Sequence, residues 1–249
     1  MKKLLLAAAA LLALSGAANA QTVRMGTEAA YAPWNFLDDS GKPAGYDVDV
    51  GNELCKRANL ECTWVANEWD TIISNLVAGN YDAIVAAMSI TDERKQTIDF
   101  SDAYYPPDPS RYVTNAGANF DFAALKGVKL GVQGGTIQAA YAEANLKDGN
   151  TIQSYATYDQ AMADLAAGNL DVVLADGPYL DPIVSASNGA VVFAGPEVSI
   201  GEGYGIGLRK GDADLKDKLN AALEAAKADG TIDTLIAKWF PGKGPFYKK

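Results

Sequence analysis

Residues that can contact a small charged molecule, most of them polar, are grouped in four short segments of the chain. These segments carry Glu28 and Tyr31; Met88 and Ser89; Gln133, Thr136 and Gln138; and Asp176. Carboxylate, hydroxyl and amide groups of this kind orient a polar ligand by hydrogen bonding. Asp176 directly follows the apolar run at residues 172–175, where a carboxylate either caps the next helix or contacts a ligand. The four segments are therefore the first candidates for a binding site.

The sequence contains no histidine, which excludes two common kinds of nucleophilic site. Ser-His-Asp and Cys-His catalysis both need an imidazole to accept the proton of the nucleophile. The two cysteines, Cys55 and Cys62, do not complete a usual zinc site without an imidazole ligand. We therefore expect no metal and no cofactor.

Residues 1–20 have the features of an export signal. Lys2 and Lys3 precede an apolar stretch at residues 4–14, and the Ala-Asn-Ala triplet at 18–20 provides the small residues of a cleavage site. An uncleaved anchor is the alternative, but the stretch is too short to cross a hydrocarbon core of about 30 Å. We expect cleavage before Gln21 and a location in the periplasm.

Export bears on the state of the cysteine pair. Cys55 and Cys62 are seven residues apart, and oxidation is the default outside the cytoplasm. This favours a local disulfide, with two buried thiols as the alternative.

The charge balance excludes one class of partner. The whole chain has 21 basic and 31 acidic residues, and loss of residues 1–20 leaves 19 against 31, a formal charge of −12. An acidic surface repels phosphate groups and anionic lipid. We expect no nucleic-acid partner.

An internal repeat indicates which elements position the polar segments. Residues 69–86 share their pattern with residues 158–175 at an offset of 89 positions. In each copy, apolar residues at helical spacing lead to a glycine, Gly79 or Gly168, and then to a short apolar run. The pattern predicts a helix, a glycine stop and a parallel strand buried on both faces.

A second similarity precedes each copy. Residues 23–26 and 128–131 both alternate apolar and polar side chains and end in glycine, which predicts a strand entering a turn. Each half of the chain is thus predicted to form a small βαβ sheet. Open α/β sheets bind ligands at the carboxyl ends of their strands. The four polar segments follow predicted strands, so we expect them to meet at those ends.

Two segments are predicted to join the halves. Residues 100–111 include three prolines, which favour an extended crossing over a helix. A second break lies at the glycine-rich residues 201–205, followed by a predicted strand at 206–209 and predicted helices at 212–229 and 232–240.

The predicted fold class is α/β, with two βαβ lobes joined by two hinge strands and a ligand cleft between them. Lobe 1 is expected to comprise residues 21–108 and 204–249, and lobe 2 residues 109–203. A cleft between two such lobes suits hinge closure around a ligand.

Four segments together resemble the polar amino-acid-binding proteins of ABC importers. They are residues 26–34 (GTEAAYAPW), 45–49 (GYDVD), 88–94 (MSITDER) and 228–231 (ADGT). The resemblance extends over essentially the whole mature chain and is strongest to the branch that binds lysine, arginine, ornithine or histidine. It implies the type II periplasmic binding protein fold and a disulfide between Cys55 and Cys62.

The resemblance also implies roles for the polar residues. Arg94 is expected to bind the ligand α-carboxylate with two parallel hydrogen bonds, with Ser89 and the loop around Thr136 adding donors. Asp176, from the other lobe, is expected to hold the α-ammonium group. Without the resemblance, Arg94 is better interpreted as part of a solvated charge run at the start of a helix.

The ligand side chain is expected to be recognised mainly from lobe 1. Tyr31 and Trp69 match positions that stack on the aliphatic or cationic part of the ligand. Core packing is the alternative for Trp69 and for Trp34. Glu28 is expected to face a cationic tip, with a surface charge in a turn as its alternative.

The expected ligand-binding set includes positions that the resemblance alone suggests. Ala86, Ala87 and Ile137 stand where relatives often offer hydroxyl groups. Glu28, Trp69 and the run Ala86-Ala87-Met88 also resemble binders of opines such as octopine and nopaline. The complete expected set is Glu28, Tyr31, Trp69, Ala86, Ala87, Met88, Ser89, Arg94, Gln133, Thr136, Gln138 and Asp176.

The resemblance implies a receptor that captures a cationic amino acid, such as arginine, lysine or ornithine, and delivers it to an ABC permease by transient contact. We expect a monomer. A binder of opines or other polar amino acids is one alternative. An enzyme similar to cyclohexadienyl dehydratase, with Glu28 as proton donor, is another, because fold alone does not fix function. The pair formed by Arg94 and Asp176 suits binding of an amino-acid backbone without reaction, so we do not expect an enzyme.

Overall fold

The computed structural model describes residues 21–248 of the chain. The export signal expected over residues 1–20 lies outside this range. None of the helices within it is long and apolar enough to cross a membrane.

Residues 21–248 form thirteen strands, eight α-helices and one short 3-10 turn at Trp69–Thr71. The strands are β1 (Gln21–Thr27), β2 (Ala30–Tyr31), β3 (Asn35–Leu37), β4 (Pro43–Ala44), β5 (Leu60–Ala66), β6 (Ala83–Ile84), β7 (Ile98–Tyr105), β8 (Ser110–Asn115), β9 (Lys129–Gln133), β10 (Thr151–Tyr155), β11 (Val172–Asp176), β12 (Val191–Val198) and β13 (Tyr204–Arg209). The helices are α1 (Tyr46–Arg57), α2 (Ile72–Val77), α3 (Asp92–Thr97), α4 (Ile137–Asn145), α5 (Tyr158–Ala166), α6 (Gly177–Ala186), α7 (Ala213–Ala228) and α8 (Thr231–Trp239).

Two five-stranded sheets share one plan. The first has the order β5-β1-β6-β13-β7, and the second has the order β10-β9-β11-β8-β12. In the first, β1 lies parallel to both β5 and β6, and β13 runs antiparallel to β6 and β7. In the second, β9 lies parallel to β10 and β11, and β8 is antiparallel to β11 and β12. The predicted α/β class with two sheet-containing lobes is confirmed.

The repeat at an offset of 89 residues forms equivalent units in the two sheets. α2 and α5 each end two residues before a glycine, Gly79 at φ +80° and Gly168 at φ +76°. Glycine adopts this left-handed conformation without the strain of a Cβ and therefore ends a helix readily. The following strands β6 and β11 pair in parallel with β1 and β9, as the pattern predicted.

The chain passes between the sheets twice. It leaves the first sheet at the end of β7 and enters the second at β8, with residues 106–109 between them. It returns between β12 and β13 through residues 199–203. Both connections fall within or next to the two predicted crossings.

Trp34 belongs to a buried aromatic cluster, so core packing is the correct interpretation of this residue. Its side chain is fully buried. Its ring lies 4.4–5.6 Å, between centroids, from the rings of Tyr46, Tyr105, Tyr204 and Phe240. Aromatic pairs at this separation add to the stabilisation from area burial. The cluster holds in place the segment around Trp34, which follows the loop that carries Glu28 and Tyr31.

The predicted disulfide is present. It joins Cys55 in the last turn of α1 to Cys62 in β5, with Cα atoms 6.2 Å apart, and no free cysteine remains in the described chain. The bridge ties the first helix to the edge strand of the first sheet.

Candidate functional site

A cavity between the two sheets is lined by side chains from both. It brings together eleven of the twelve expected residues and adds Ile137 and Tyr158. The lining residues are Glu28, Tyr31, Trp69, Ala86, Ala87, Ser89, Arg94, Gln133, Thr136, Ile137, Gln138, Tyr158 and Asp176. Strand ends explain this convergence: Glu28 follows β1, Gln133 ends β9 and Asp176 ends β11. These are carboxyl ends of parallel strands, where the two sheets face each other across the cleft.

Met88 is the member of the expected set that does not line the cavity. Its side chain is fully buried in an apolar cluster of the first sheet with Ile72, Leu76 and Tyr81. Its carbonyl oxygen accepts a hydrogen bond from the Gly205 N–H at 3.1 Å. Burial of the thioether among apolar neighbours stabilises the lobe, and this role replaces the expected contact with a ligand.

Asp176 directs its carboxylate into the cavity. It occupies the cap position of α6 but makes no capping hydrogen bond, so the interpretation as a helix cap is wrong. One oxygen accepts from the Tyr31 hydroxyl at 2.8 Å, and the other accepts from the Gln138 amide at 2.7 Å. Burial raises the pKa of Asp176 above its usual value, while hydrogen bonds from Tyr31, Tyr204 and Gln138 oppose the rise. These partners are neutral, so the carboxylate keeps the capacity to pair with a cation.

Arg94 lies in the first turn of α3 and reaches into the same cavity. Its guanidinium group donates to the Ser89 carbonyl at 2.8 Å and to the Gly135 carbonyl at 3.0 Å, and it lies 5.3 Å from the centre of the Trp69 ring. Burial lowers the pKa of Arg94 to about 10, partly offset by the charge of Asp176, so the group stays protonated at neutral pH. Arg94 is therefore not part of a solvated charge run. Its fork has five N–H donors, and these carbonyls leave some of them free for an anion.

Glu28 is a buried carboxylate, and its interpretation as a surface charge is wrong. Its side chain accepts a hydrogen bond from the Gln133 amide at 2.6 Å, and the residue is 8% exposed. Burial raises the pKa of Glu28 to about 7, against the effect of the Gln133 bond and with a smaller contribution from the charges of Asp159, Asp70 and Asp47. The carboxylate faces the cavity without a cationic partner among its hydrogen bonds.

Hydrogen bonds cross the cleft and join the two lobes. Among them are the bonds from Tyr31 to Asp176, from Gln133 to Glu28 and from Arg94 to the Gly135 carbonyl. The lobes are therefore in contact across the site.

Tyr31 carries an additional contact across the cleft. Its ring stacks on Tyr179 at 4.5 Å and on Tyr158 at 5.6 Å between centroids, so an aromatic side chain of the first lobe inserts into the second. Tyr158 is a lining residue that the sequence argument did not select. It stands at the same place in the repeat as Trp69, 89 positions earlier, and that correspondence was a usable signal.

Known proteins with similar sequences and structures are solute receptors. The family sequence model of the bacterial extracellular solute-binding proteins, family 3, matches residues 23–242 of this chain. The lysine/arginine/ornithine-binding periplasmic protein of Escherichia coli is 41% identical, over 96% of this chain and 97% of that protein. The L-arginine-binding protein of Pseudomonas aeruginosa is also 41% identical, with the same coverage.

A solved structure gives the same picture. A periplasmic His/Glu/Gln/Arg/opine family-binding protein from Silicibacter pomeroyi, in complex with lysine, superposes with a TM-score of 0.84. It is 47% identical and covers 90% of this chain and 100% of its own.

Proposed function

The chain belongs to the bacterial extracellular solute-binding proteins of family 3, and on this premise we propose that it captures a cationic amino acid and delivers it to an ABC importer. The expected ligands are arginine, lysine and ornithine. The similar curated proteins are receptors and not enzymes, and we class the chain with them. Their names agree with a cationic ligand, as does the lysine complex of the similar structure.

The observation that carries the proposal is a set of three charges around one cavity, two of them on the buried carboxylates of Glu28 and Asp176 and one on the half-buried Arg94. Arg94 is positive, whereas Asp176 and Glu28 are acidic, and the hydrogen-bond partners of all three are neutral groups. A buried charge without an opposite charge is costly, so a ligand that supplies the opposite charges is stabilised. With both acids ionised the site carries a net charge of −1, and a cationic amino acid carries +1. A neutral amino acid leaves Glu28 unpaired, and an acidic one is repelled.

In the proposed complex, each charge of the ligand has one partner. The fork of Arg94 takes the α-carboxylate, with donors from Ser89 and the Thr136 loop. Asp176 takes the α-ammonium group from the opposite lobe, and Glu28 takes the cationic tip. Ala86, Ala87 and Trp69 line the cavity and are proposed to contact the aliphatic part of the ligand.

We further propose the lobe boundaries, the state and the location of the protein. Lobe 1 comprises residues 21–108 and 204–249, and lobe 2 comprises residues 109–203, since the chain changes sheets in those connections. The mature protein acts as a monomer in the periplasm after cleavage of residues 1–20, and it contacts its permease transiently.

Calorimetric titration of the mature protein with arginine, lysine, ornithine, glutamine and glutamate tests the proposed function. Arginine, lysine or ornithine is expected to bind far more tightly than glutamate. A preference for glutamate overturns the cationic assignment. Parallel incubation with prephenate and arogenate is expected to give no product, and turnover would instead favour an enzyme on this scaffold.

A further inference from the structure

One fully buried carboxylate of the first lobe does not line the cavity. Asp47 lies in the first turn of α1 and is 0% exposed. One of its oxygens accepts from the Tyr104 hydroxyl and the other from the Asn35 amide, both at 2.7 Å. Burial raises the pKa of Asp47 to about 7, although these hydrogen bonds and the Ala87 N–H oppose the rise. Neutral partners do not fully offset the cost of burying a carboxylate, so stability alone gives no reason for this side chain.

The first partner connects Asp47 to the loop that carries Glu28. The Oδ1 atom of Asn35 accepts a hydrogen bond from the Ala29 N–H at 2.7 Å, while its amide nitrogen donates to Asp47. Ala29 follows Glu28 directly and has a φ of +61°. A residue with a Cβ is strained in that region, so the bond from its N–H holds a conformation that the loop does not adopt by itself.

The second partner connects Asp47 to the loop after β6. The Tyr104 hydroxyl accepts from the Ala87 N–H at 3.0 Å and donates to Asp47. Ala87 lines the cavity and has a φ of +45°. Four residues other than glycine have positive φ between residues 21 and 248, and the remaining two are Asn59 and Asn188. Asparagine tolerates this conformation better than alanine. The strained residues are therefore Ala29 and Ala87, and both adjoin the site.

The chemistry of a carboxylate explains why both connections meet at an acid. An ionised carboxylate only accepts hydrogen bonds. It therefore requires Asn35 to present its NH₂ group inward and its oxygen to Ala29. It also requires Tyr104 to turn its hydroxyl proton inward, which leaves a lone pair for the Ala87 N–H.

We infer that Asp47 is a positioning residue that holds both first-lobe loops of the cleft in their binding conformation, through Asn35 to the Glu28 loop and through Tyr104 to the Ala87 loop. The inference rests on the proposed function for the identity of the ligand. The two hydrogen-bonded connections are features of the structure and do not depend on which ligand binds. Because the loops contact different parts of the ligand, the two connections have separable effects on binding.

The test is calorimetric titration of arginine and glutamine into three variants. Tyr104→Phe removes the hydroxyl that links Asp47 to Ala87, and it is expected to weaken both ligands by about fivefold to tenfold, the scale of one hydrogen bond. Asn35→Ala acts through the loop that carries Glu28. It is therefore expected to lower the affinity for arginine by a similar factor and the affinity for glutamine by less than about twofold. Asp47→Asn conserves volume but introduces a donor, and it is expected to show both effects.

A matched control separates positioning from a general loss of buried polar contacts. The Tyr46 hydroxyl is also buried and donates to the Tyr104 carbonyl at 2.9 Å, outside both connections. Tyr46→Phe is expected to retain the wild-type affinity for both ligands. Circular dichroism and thermal unfolding verify that each variant is folded, and the Asn35 and Tyr104 variants decide the question if Asp47→Asn does not fold.

Two results overturn the inference. One is a Tyr104→Phe variant that binds like Tyr46→Phe, and the other is an Asn35→Ala variant that weakens arginine and glutamine equally. A wild type that prefers glutamine to arginine overturns the proposed cationic ligand alone. The losses in Tyr104→Phe and Asp47→Asn apply to any amino acid, so they still decide the role of Asp47.

Discussion

Arg94 shows how strongly the role of a residue depends on its surroundings. It stands in a run of four charged residues, and its neighbours Asp92 and Glu93 are exposed to solvent. The Thr91 hydroxyl caps α3 by accepting from the Arg94 N–H at 3.2 Å, which fixes the start of the helix. The guanidinium group then donates to the Ser89 and Gly135 carbonyls at the rim of the cavity.

Removing either proposed partner of the amino-acid backbone should strongly weaken binding. Arg94→Ala and Asp176→Ala are each expected to cost about 2–5 kcal/mol of binding free energy, because a charge of the ligand is left desolvated and unpaired. Calorimetric titration with arginine measures the loss. Lys95→Ala is the control, since Lys95 pairs with Asp92 and Glu202 outside the cavity. Affinity close to wild type in both cavity variants would refute the assignment.

The charge of Glu28 should set the preference for cationic ligands. Glu28→Gln keeps the size and the hydrogen-bonding capacity but removes the charge. The binding of arginine and lysine is expected to weaken by about 1–3 kcal/mol, the scale of a charge-assisted hydrogen bond, and the binding of glutamine by much less. Titration of wild type and variant with these ligands and glutamate measures the difference. Equal losses for all ligands would make Glu28 a structural residue.

The same charge should make arginine binding depend on pH. Burial raises the pKa of Glu28 from 4.5 to about 7, so the protein loses stability as the pH rises from about 4.5 to about 7, where this carboxyl is ionised in the unfolded chain and still protonated in the folded protein. A cationic ligand favours the ionised form, so arginine affinity is expected to rise with pH up to about 7, where binding releases a proton, and to level off above it. The Glu28→Gln variant still contains Asp47, whose pKa is also raised to about 7. It is therefore expected to lose only the part of the pH dependence of arginine affinity that comes from Glu28.

The sequence revealed some lining residues better than others, for physical reasons. Acid, amide and hydroxyl side chains at strand ends carry a chemical signal, as Asp176 and Gln133 show. Ile137 carries none, because apolar side chains occur in any core, and Tyr158 is indicated only by its correspondence with Trp69 in the repeat. Met88 is adjacent to lining residues, and only the backbone path decides which side chain faces the cavity.

At the scale of elements, the repeating units could be predicted because each has a strong local signal. Helical spacing, a glycine stop and an apolar run gave α2 with β6 and α5 with β11. β2, β3 and β4 form a third sheet of three short strands, which was not predicted, since strands of two or three residues are too short to show alternation. β6 has only two residues instead of the four expected, because the chain leaves the sheet early to form the wall of the cavity.

The disulfide is expected to stabilise the first lobe without changing the ligand preference. Cys55 and Cys62 close a short loop between α1 and β5, for which chain entropy gives about 2–3 kcal/mol. Neither cysteine lines the cavity. Chemical denaturation of wild type and of the Cys55→Ser/Cys62→Ser variant measures the loss, and titration with arginine and glutamine measures the preference. An altered ratio of the two affinities would mean that the bridge shapes the site.

At the scale of the whole molecule, the proposed contacts of one ligand with opposite charges on opposite lobes couple binding to closure. A ligand shifts the equilibrium between open and closed forms only by the difference in its affinity for the two. Arg94 lies in α3, which packs beside β7 of the first sheet, and Asp176 ends β11 of the second sheet, so in the proposed complex both contact one amino-acid backbone only when the cleft is closed. The contacts of Tyr31 with Asp176, Tyr158 and Tyr179 add stability to that closed form without a ligand.

Arginine is therefore expected to compact the protein in solution, and the compaction should need both lobes. Small-angle X-ray scattering of the wild type is expected to show a smaller radius of gyration with arginine than with glutamate or with buffer. Asp176→Ala removes the contact from the second lobe, and a loss of about 2 kcal/mol or more lowers the closed-to-open ratio by at least about thirtyfold. Its radius of gyration should change little at the arginine concentration that saturates the wild type. Glu28→Gln keeps the contacts to the amino-acid backbone on both lobes, so it should still contract when saturated with arginine. If Asp176→Ala, saturated with arginine, contracts as much as the wild type, then the lobes do not close through a ligand held between Arg94 and Asp176, and the contacts of Tyr31 or the hinge itself must drive the closure.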